Sequence, residues 1–430
     1  MKTSDTVGST RAVMVAEGPA FRLLKLVAPT PGALVGWAFL AAVSVLIGKI
    51  ALPMAAKLYD FRAFYSAGYL VLHEPSHLFD IATQTANQNA VVCPMWRGVP
   101  FYHPAYEALL YAPFTLLSYR HAYLAYMAWN LLLVLGCYWL APKAVGDAVA
   151  RVPRSVLLFA GFPVFMTIVE GQNSILFLLA VCLVWRAMER KRMGVAGLLL
   201  GLAVFKLPVV VVVAALMSVR LGRRFLGGVV AGSAAMLLVS VGLTGVEGTK
   251  EWLGLLVSAS VASHLSHKAQ AVAAVYAAAM PSLNGLLFVC GGRWLRPVMS
   301  MGIDAAASAA VLAAGVYVVR RAGSLGVAFC AAVCSALLLS PHLYLYDYTL
   351  MLFPVLLLRG RAHVAFTAVF YVLPYVLFAW KGLDEFAFVA VVPVGFLASA
   401  VWESVSAGDV GWEAAGARPA VGVGTAGLRG

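Results

Sequence analysis

The sequence predicts an all-α polytopic membrane protein, and three observations support this fold class. Of its 430 residues, 62% are hydrophobic and 11% are charged, whereas soluble domains carry about 25% charged residues. Long apolar runs recur along the whole chain, as expected for helices that cross a bilayer. The sequence does not contain the roughly ten-residue alternating segments of a transmembrane barrel.

The charge pattern indicates membrane lipids as partners and argues against nucleic acid. The formal net charge is +13, but the Lys and Arg residues lie in short clusters between apolar runs. Such clusters are typical of loops beside an anionic inner leaflet. The sequence has no Walker motif, HExxH motif or nucleophile elbow, which leaves nucleotide-powered transport and zinc proteolysis poorly supported.

The six cysteines do not form a CxxC pair or a His-rich cluster, so we expect neither a metal site nor a redox cofactor. Pairing of Cys93 with Cys290 stays open, because both could lie outside the membrane. His264 and His267 have a spacing that a metal could use. Since no carboxylate or cysteine is near them in sequence, we interpret them as solvated loop residues.

Twelve membrane spans are predicted within a transmembrane domain that covers residues 33–403. A polar amino-terminal segment, 1–32, precedes an uncleaved first span. A tail at 404–430 is rich in Gly, Ala and Val without periodicity, which predicts disorder. The predicted spans are 33–56, 121–141, 155–169, 173–188, 193–206, 208–219, 225–242, 297–319, 325–340, 346–359, 363–380 and 385–403.

Two segments are predicted to be outer loops, at 57–120 and 243–296. The first should carry two amphipathic helices, at about 61–72 and 81–90, and a more apolar helix at about 104–118. If that last helix does not cross the bilayer, both termini and all the basic clusters lie on the cytoplasmic side, as the positive-inside rule requires. The clusters are Lys143/Arg151/Arg154, Arg186/Arg190/Lys191/Arg192, Arg220/Arg223/Arg224, Arg320/Arg321 and Arg359/Arg361.

This topology places the chemically rich sequence on one face of a plasma membrane, the periplasmic or extracellular face. Asp60, at the end of the first span, could be a general base whose pKa is raised by its apolar setting. It could also be only the N-cap of the next helix. Lys206 lies in an apolar stretch before Pro208. It could bind a phosphate or extend to the interface.

Further candidates lie in the same predicted outer segments. His342 could donate to a phosphate or move a proton, with Tyr346 and Asp347 beside it in "SPHLYLYDYT". Gln172 and Asn173 offer hydrogen bonds that suit sugar hydroxyls, although Asn173 could simply cap the following span. A separate pair, Tyr102 and His103, could contact substrate or occupy the membrane interface.

Five motifs in chain order carry a resemblance to a known family. They are "YDFRAFYSAGYLVL", "YHPAYEALLYAPFTLL", "EGQNSILFLL", "GLLLGLAVFKLPVVV" and "SPHLYLYDYTLMLFPVLLL". Together they resemble glycosyltransferase family 87, integral-membrane enzymes of the C-type (GT-C) superfamily. That family includes polyprenyl-phosphate-mannose-dependent α-mannosyltransferases, and the resemblance covers about residues 33–403.

The resemblance implies a GT-C-like fold, with juxtamembrane helices of the first outer loop above a membrane-embedded cavity. It implies an inverting transfer from a polyprenyl-phosphate-sugar donor to a glycolipid or glycan acceptor, without a cofactor. Asp60 would take the acceptor proton. Lys206 and His342 would stabilise the leaving phosphate, and Arg62 is a further candidate for that contact. A secondary transporter, or a flippase or ligase for a lipid-linked glycan, is the alternative. A transporter would predict internal repeats, and no convincing repeat is present.

Overall fold

The computed structural model describes residues 45, 49, 59–92, 98–265, 270–271, 275–292, 297–381 and 385–416. Within these ranges every regular element is helical, which confirms the predicted all-α class. Apart from positions 45 and 49, the predicted first span at 33–56 lies outside the described residues. Cys93 and His267 lie outside them too, so the predictions about these two residues stay untested.

We number the α-helices of the described ranges in chain order. They are α1 (Tyr59–His73), α2 (Ile81–Val91), α3 (Ala105–Tyr111), α4 (Tyr119–Leu140), α5 (Asp147–Ala150), α6 (Arg154–Phe159), α7 (Phe162–Glu170), α8 (Ser174–Glu189), α9 (Met193–Leu202), α10 (Leu207–Leu221), α11 (Arg223–Ala262), α12 (Leu283–Leu287), α13 (Pro297–Arg321), α14 (Leu325–Leu339), α15 (Leu352–Leu357), α16 (Arg361–Lys381) and α17 (Val391–Gly416). Short 3-10 turns lie at Pro75–His77, Ala112–Leu116, Val204–Lys206, Ala277–Ala279, Leu345–Met351 and Phe386–Ala390, and a π-turn lies at Phe288–Gly292.

Six helices in the described ranges are long and apolar enough to cross a membrane. They are Tyr119–Leu140, Val204–Leu221, Arg223–Ala262, Met299–Arg321, Arg361–Lys381 and Phe386–Val405. Large apolar side chains project outward from them, such as Leu238 and Trp402, which are 71% and 74% exposed. An outer surface of this kind suits lipid better than water, so the protein is a polytopic membrane protein.

Several predicted spans are broken into shorter pieces. The span predicted at 155–169 is split between α6 and α7, and the span at 346–359 is a 3-10 turn followed by α15. Proline explains part of this pattern, because Pro163 and Pro208 occupy the first turns of α7 and α10. Irregular backbone at such breaks is tolerated in a membrane protein where it lines a cavity. The total of twelve spans stays a prediction.

The helices predicted for the first outer loop are present. The predicted 61–72 is α1, 81–90 is α2, and 104–118 is α3 with the 3-10 turn at Ala112–Leu116. Asp80 caps α2, since its carboxylate accepts from the backbone of Ala82 and Thr83. Aromatic residues of α1, such as Phe61 and Phe64, form a core of their own with rings from α3 and α4.

Helix α11 continues beyond the predicted span at 225–242 and reaches into the predicted second outer loop. Gly245, with φ 74° and ψ −179°, bends it, and the following segment carries Trp252. The indole of Trp252 donates to the carbonyl of Tyr102 at 2.9 Å, so this extension holds the end of the first loop in place. Helix α17 likewise continues to Gly416, beyond the predicted span end at residue 403.

Candidate functional site

Asp60 lies in the first turn of α1, where its carboxylate meets the turn between α7 and α8. The Nε2 atom of Gln172 donates to Asp60 Oδ2 at 2.5 Å. Because α1 already begins at Tyr59, Asp60 is inside the helix, and the interpretation of this residue as an N-cap is wrong. Its carboxylate instead joins two segments that are far apart in sequence.

A second carboxyl group, that of Glu170, is close enough to the Asp60 carboxylate for the two to interact electrostatically. Burial raises the pKa of both groups, and the negative charge of Asp60 raises the pKa of Glu170 further. The hydrogen bond from Gln172 and the charges of Lys206 and His103 act in the opposite direction on Asp60. Sequence reasoning missed Glu170, although a carboxylate at the end of an apolar run is the same signal that pointed to Asp60.

The turn that carries Glu170 and Gln172 is fixed by close backbone packing. Gly171 has φ 65° and ψ 38°, a left-handed conformation that favours glycine. A Cβ atom at this position would lie 2.7 Å from the Cβ of Phe61. Tyr126 and Asn130 of α4 donate to the carbonyl of Gln172 at 3.4 and 3.3 Å. The turn is therefore held against both α1 and α4.

Asn173 and His103 meet at a buried carboxylate, that of Glu107. The Nδ2 atom of Asn173 donates to Glu107 Oε1 in a short hydrogen bond, and His103 Nδ1 lies 2.8 Å from Glu107 Oε2. The hydroxyl of Tyr111 donates to Glu107 at 3.1 Å. Asn173 precedes α8, but its side chain makes no capping hydrogen bond, so capping does not explain this residue. Glu107 was also missed from the sequence.

Lys206 forms a buried ion pair with Asp347. Its Nζ lies 2.7 Å from Asp347 Oδ1, and the two side chains are 9% and 8% exposed. The same carboxylate oxygen accepts a hydrogen bond from Ser174 at 2.7 Å, and Nζ lies 5.2 Å from the ring centroid of Tyr346. The ammonium is held inside the protein, so the alternative in which it extends to the aqueous interface is wrong.

His342 lies in the connection between α14 and the following 3-10 turn. Its ring centroid is 5.1 Å from that of Tyr102 and 5.3 Å from that of Tyr344. Burial, helped by the positive charges of His103 and Lys206, lowers the pKa of His342 to about 4, and Asp347 opposes that shift. The imidazole is therefore neutral at neutral pH and can donate a hydrogen bond without carrying a charge.

Several buried polar atoms of the site have no hydrogen-bond partner among the described residues, and they include Gln172 Oε1, Asn173 Oδ1 and His342 Nδ1. The orientation of the Gln172 amide follows from its contact, since only the NH₂ end can donate to the Asp60 carboxylate. Buried polar atoms are normally paired, so these positions are suited to hydroxyl groups of a ligand.

Arg62 lies on a different side of α1 from Asp60. Two residues after Asp60, it lies about 200° around the α1 axis. Ser66, one turn further on the same side, donates to Asn87 of α2 at 2.8 Å. The Arg62 side chain is fully buried. Its predicted role as a phosphate ligand stays a prediction.

The interpretation of His264 as a solvated loop residue is wrong. It lies just after α11 with a side chain that is 13% exposed, and its Nε2 atom is 3.8 Å from Asp304 Oδ2. Asp304 is on α13, so the sequence around His264 gave no sign of this carboxylate. Cys290 is exposed, and Cys93, whose pairing with it was left open, is outside the described residues.

Comparison with known proteins gives one match. A family model described as glycosyltransferase family 87 matches residues 101–341, more than half of the chain. Neither the curated proteins nor the solved structures contain a match. The matched range contains the glutamine, asparagine and lysine of the site, whereas Asp60 and His342 lie outside it. By this match the chain belongs to glycosyltransferase family 87 and is a membrane-embedded glycosyltransferase.

Proposed function

We propose that the protein moves a hexose, mannose, from a polyprenyl-phosphate donor to a glycolipid or glycan acceptor, with inversion and without a metal. The observation that carries the proposal is the pairing of two functions at one site. A carboxylate suited to accept a proton, Asp60, lies near an ammonium suited to bind phosphate, Lys206. Lys206 sits in the 3-10 turn between α9 and α10, where a lipid-linked substrate can approach from the bilayer.

Asp60 is proposed as the general base. The O–H bond of the acceptor breaks and its proton passes to Asp60, while the acceptor oxygen forms a bond to the anomeric carbon. The bond from that carbon to the phosphate oxygen breaks, and its electron pair leaves with the lipid phosphate. One displacement inverts the configuration, so a single base is sufficient and no covalent sugar–enzyme intermediate forms.

Lys206 is proposed to stabilise the leaving phosphate. Negative charge grows on the phosphate oxygen as the sugar departs, and a fixed ammonium lowers the energy of that transition state. Asp347 holds Lys206 in position through the 2.7 Å contact. His342, with its pKa lowered to about 4, would donate a hydrogen bond to the phosphate as a neutral imidazole.

Sugar recognition is assigned to groups with unused hydrogen-bonding capacity. Gln172 Oε1 and Asn173 Oδ1 are buried acceptors without partners among the described residues, and sugar hydroxyls are donors. The His103 ring lies 3.4 Å from the Asn173 amide, and Tyr102 and Tyr346 provide further flat rings next to His342 and Tyr344. This arrangement would fix the sugar while leaving Asp60 open to the acceptor.

The alternative is a transporter, flippase or ligase for a lipid-linked glycan, since transporters also place polar groups at broken helices. Purified protein in detergent with radiolabelled polyprenyl-phosphate-mannose separates these functions. We expect release of polyprenyl phosphate that depends on an added lipid acceptor extract and is lost in Asp60→Asn. Donor that binds but is recovered intact with every acceptor would support transport instead.

The proposed membrane face is the periplasmic or extracellular one, and it rests on the positions of the basic clusters. Single cysteines at the exposed residues Ser76 and Lys250 test it, in a variant whose Cys93 and exposed Cys290 are both replaced by Ser. An impermeant maleimide added to whole cells should label both positions. A cysteine at Arg190 is the matched control and should react only after permeabilisation. The reverse labelling pattern would overturn the proposed orientation.

A further inference from the structure

We propose that Glu107 is a positioning residue for sugar recognition, which holds Asn173 and His103 so that both present hydrogen-bond acceptors to the sugar. This inference rests on the proposed function and deepens it, because it assigns what the site recognises in the sugar, namely hydroxyl groups that donate. Glu107 is fully buried and does not need to touch the substrate in this role. It acts through the side chains that converge on its carboxylate.

The two oxygens of the Glu107 carboxylate serve different partners. Glu107 lies in the first turn of α3. Its Oε1 accepts from the hydroxyl of Tyr111, one turn further along the helix, and from the amide of Asn173 in the turn before α8. Its Oε2 lies 2.8 Å from Nδ1 of His103, four residues earlier. Among the described residues, Oε2 has no further polar partner.

The contact with Glu107 fixes the orientation of the Asn173 amide. A carboxylate can only accept, so the NH₂ group must face it and Oδ1 must face away. That Oδ1 is buried and has no partner among the described residues. Gln172, the preceding residue, donates to Asp60 in the same way and also keeps an unpartnered Oε1. Two consecutive amides thus give their donors to carboxylates and keep their acceptors for a ligand.

The same carboxylate sets the tautomer of His103. A ring nitrogen that lies 2.8 Å from a carboxylate oxygen carries the hydrogen between them, because two lone pairs would repel each other at that distance. In the neutral imidazole, Nε2 on the far side of the ring is then an acceptor. Phe64 and Phe101 hold the ring, with centroids 5.1 and 5.6 Å from that of His103. The side chain is still 18% exposed, so a ligand can reach it.

A site of acceptors predicts how fluorinated sugars bind. Fluorine is close to a hydroxyl group in size but cannot donate a hydrogen bond. At each recognised position, the deoxyfluoro and deoxy forms of polyprenyl-phosphate-mannose should therefore lose affinity equally, by about tenfold. Binding is measured with wild type in the absence of acceptor, so that no transfer occurs. Fluorinated donors that all bind as tightly as the parent compound would overturn the proposal.

The variant Glu107→Gln separates positioning from a purely structural role. Two donors face Oε1 and one ring nitrogen faces Oε2, so the new amide should keep its oxygen towards Tyr111 and Asn173. Its NH₂ group then faces His103, where Nδ1 must accept and the hydrogen moves to Nε2. We expect the KM for polyprenyl-phosphate-mannose to rise by about tenfold, while kcat stays within about threefold of wild type.

Two further proteins serve as controls. Glu74→Gln, at an exposed residue of the same loop, should behave as wild type. In a His103→Ala background, Glu107→Gln should not raise KM further, because the ring on which it acts is absent. Equal losses with and without His103 would show a structural role for Glu107 and overturn the proposal.

Nitrogen-15 NMR of histidine-labelled protein tests the positioning without turnover. Protonated and unprotonated ring nitrogens have distinct chemical shifts, and loss of a signal in His103→Ala assigns it. The hydrogen should lie on Nδ1 in wild type and on Nε2 in Glu107→Gln. The same tautomer in both proteins, or hydrogens on both nitrogens in wild type, would overturn the assignment. If the tautomer changes and the fluorinated donors bind as expected but no sugar is transferred, the proposed function fails while the positioning by Glu107 stands.

Discussion

Replacement of Lys206 by Met should separate the structural and the catalytic parts of its role. The ammonium lies 2.7 Å from Asp347, and both side chains are less than one tenth exposed. Removal of one member of a buried ion pair leaves a buried charge without its partner, which costs about 3–5 kcal/mol. Because Asp347 keeps its hydrogen bond from Ser174, we expect a loss near the lower limit, about 3 kcal/mol, for Lys206→Met.

The partner variants complete a double-mutant cycle. Asp347→Asn retains an oxygen that can accept from Ser174 and removes the negative charge, so Lys206→Met/Asp347→Asn should recover most of the lost stability. Turnover should follow a different pattern. Loss of a group that stabilises transition-state charge costs about 10²–10³ in rate, so Lys206→Met and the double variant should both be slow. Asp347→Asn alone keeps the ammonium and should turn over donor faster than either.

Thermal unfolding in detergent and release of lipid phosphate are the two assays for this cycle. We predict that the double variant recovers most of its stability but remains slow in turnover. If the double variant regains wild-type turnover together with its stability, Lys206 serves the fold alone, and the donor phosphate must be bound by other residues.

Three further predictions follow from the backbone and from His342. Gly171→Ala would hold an alanine in the left-handed conformation, at a cost of about 1–2 kcal/mol, and would bring its Cβ to 2.7 Å from Phe61. Turnover should therefore fall well below wild type at equal expression, and an active variant would show that the turn need not stay fixed. Gly197→Ala places a Cβ 2.0 Å from a backbone oxygen of α11 and should lower the unfolding temperature, whereas Gly227→Ala, with open space, should not. The pKa of the buried His342 is lowered, so the stability contributed by its neutral form is fully present above pH 6.5 and is lost as pH falls towards about 4. His342→Gln should flatten that part of the stability–pH curve, and an unchanged curve would contradict this prediction.

Local features of the fold were predictable from the sequence because they depend on neighbouring residues. Helix α2 was predicted at 81–90 and is Ile81–Val91, and α4 was predicted at 121–141 and is Tyr119–Leu140. Hydrophobic patterning, turn residues and Pro positions carry that information. Breaks within apolar runs were missed. Between α6 and α7 the chain remains hydrophobic across the break, so hydropathy alone merges the two helices.

Partners within the site could not be predicted, because they come from distant segments. Lys206 was identified as a cation within an apolar stretch, but its ion pair with Asp347 depends on how two 3-10 turns, Val204–Lys206 and Leu345–Met351, are placed relative to each other. Asp60 was selected as the base, whereas the nearby carboxyl group of Glu170 that interacts with it electrostatically was not foreseen. His264 was misread for the same reason, since Asp304 reaches it from another helix. A single sequence reports residue types and local periodicity, and tertiary contacts decide how such residues pair.

The central claim is that Asp60 accepts the proton of the acceptor hydroxyl. The most direct measurement is single-turnover transfer by Asp60→Asn with polyprenyl-phosphate-mannose, together with donor binding and thermal unfolding of the same preparation. Asn occupies nearly the same volume but cannot take the proton. We predict that donor binding and unfolding temperature stay close to wild type while transfer falls by at least about 10². Transfer by Asp60→Asn at a rate near that of wild type would contradict the mechanism.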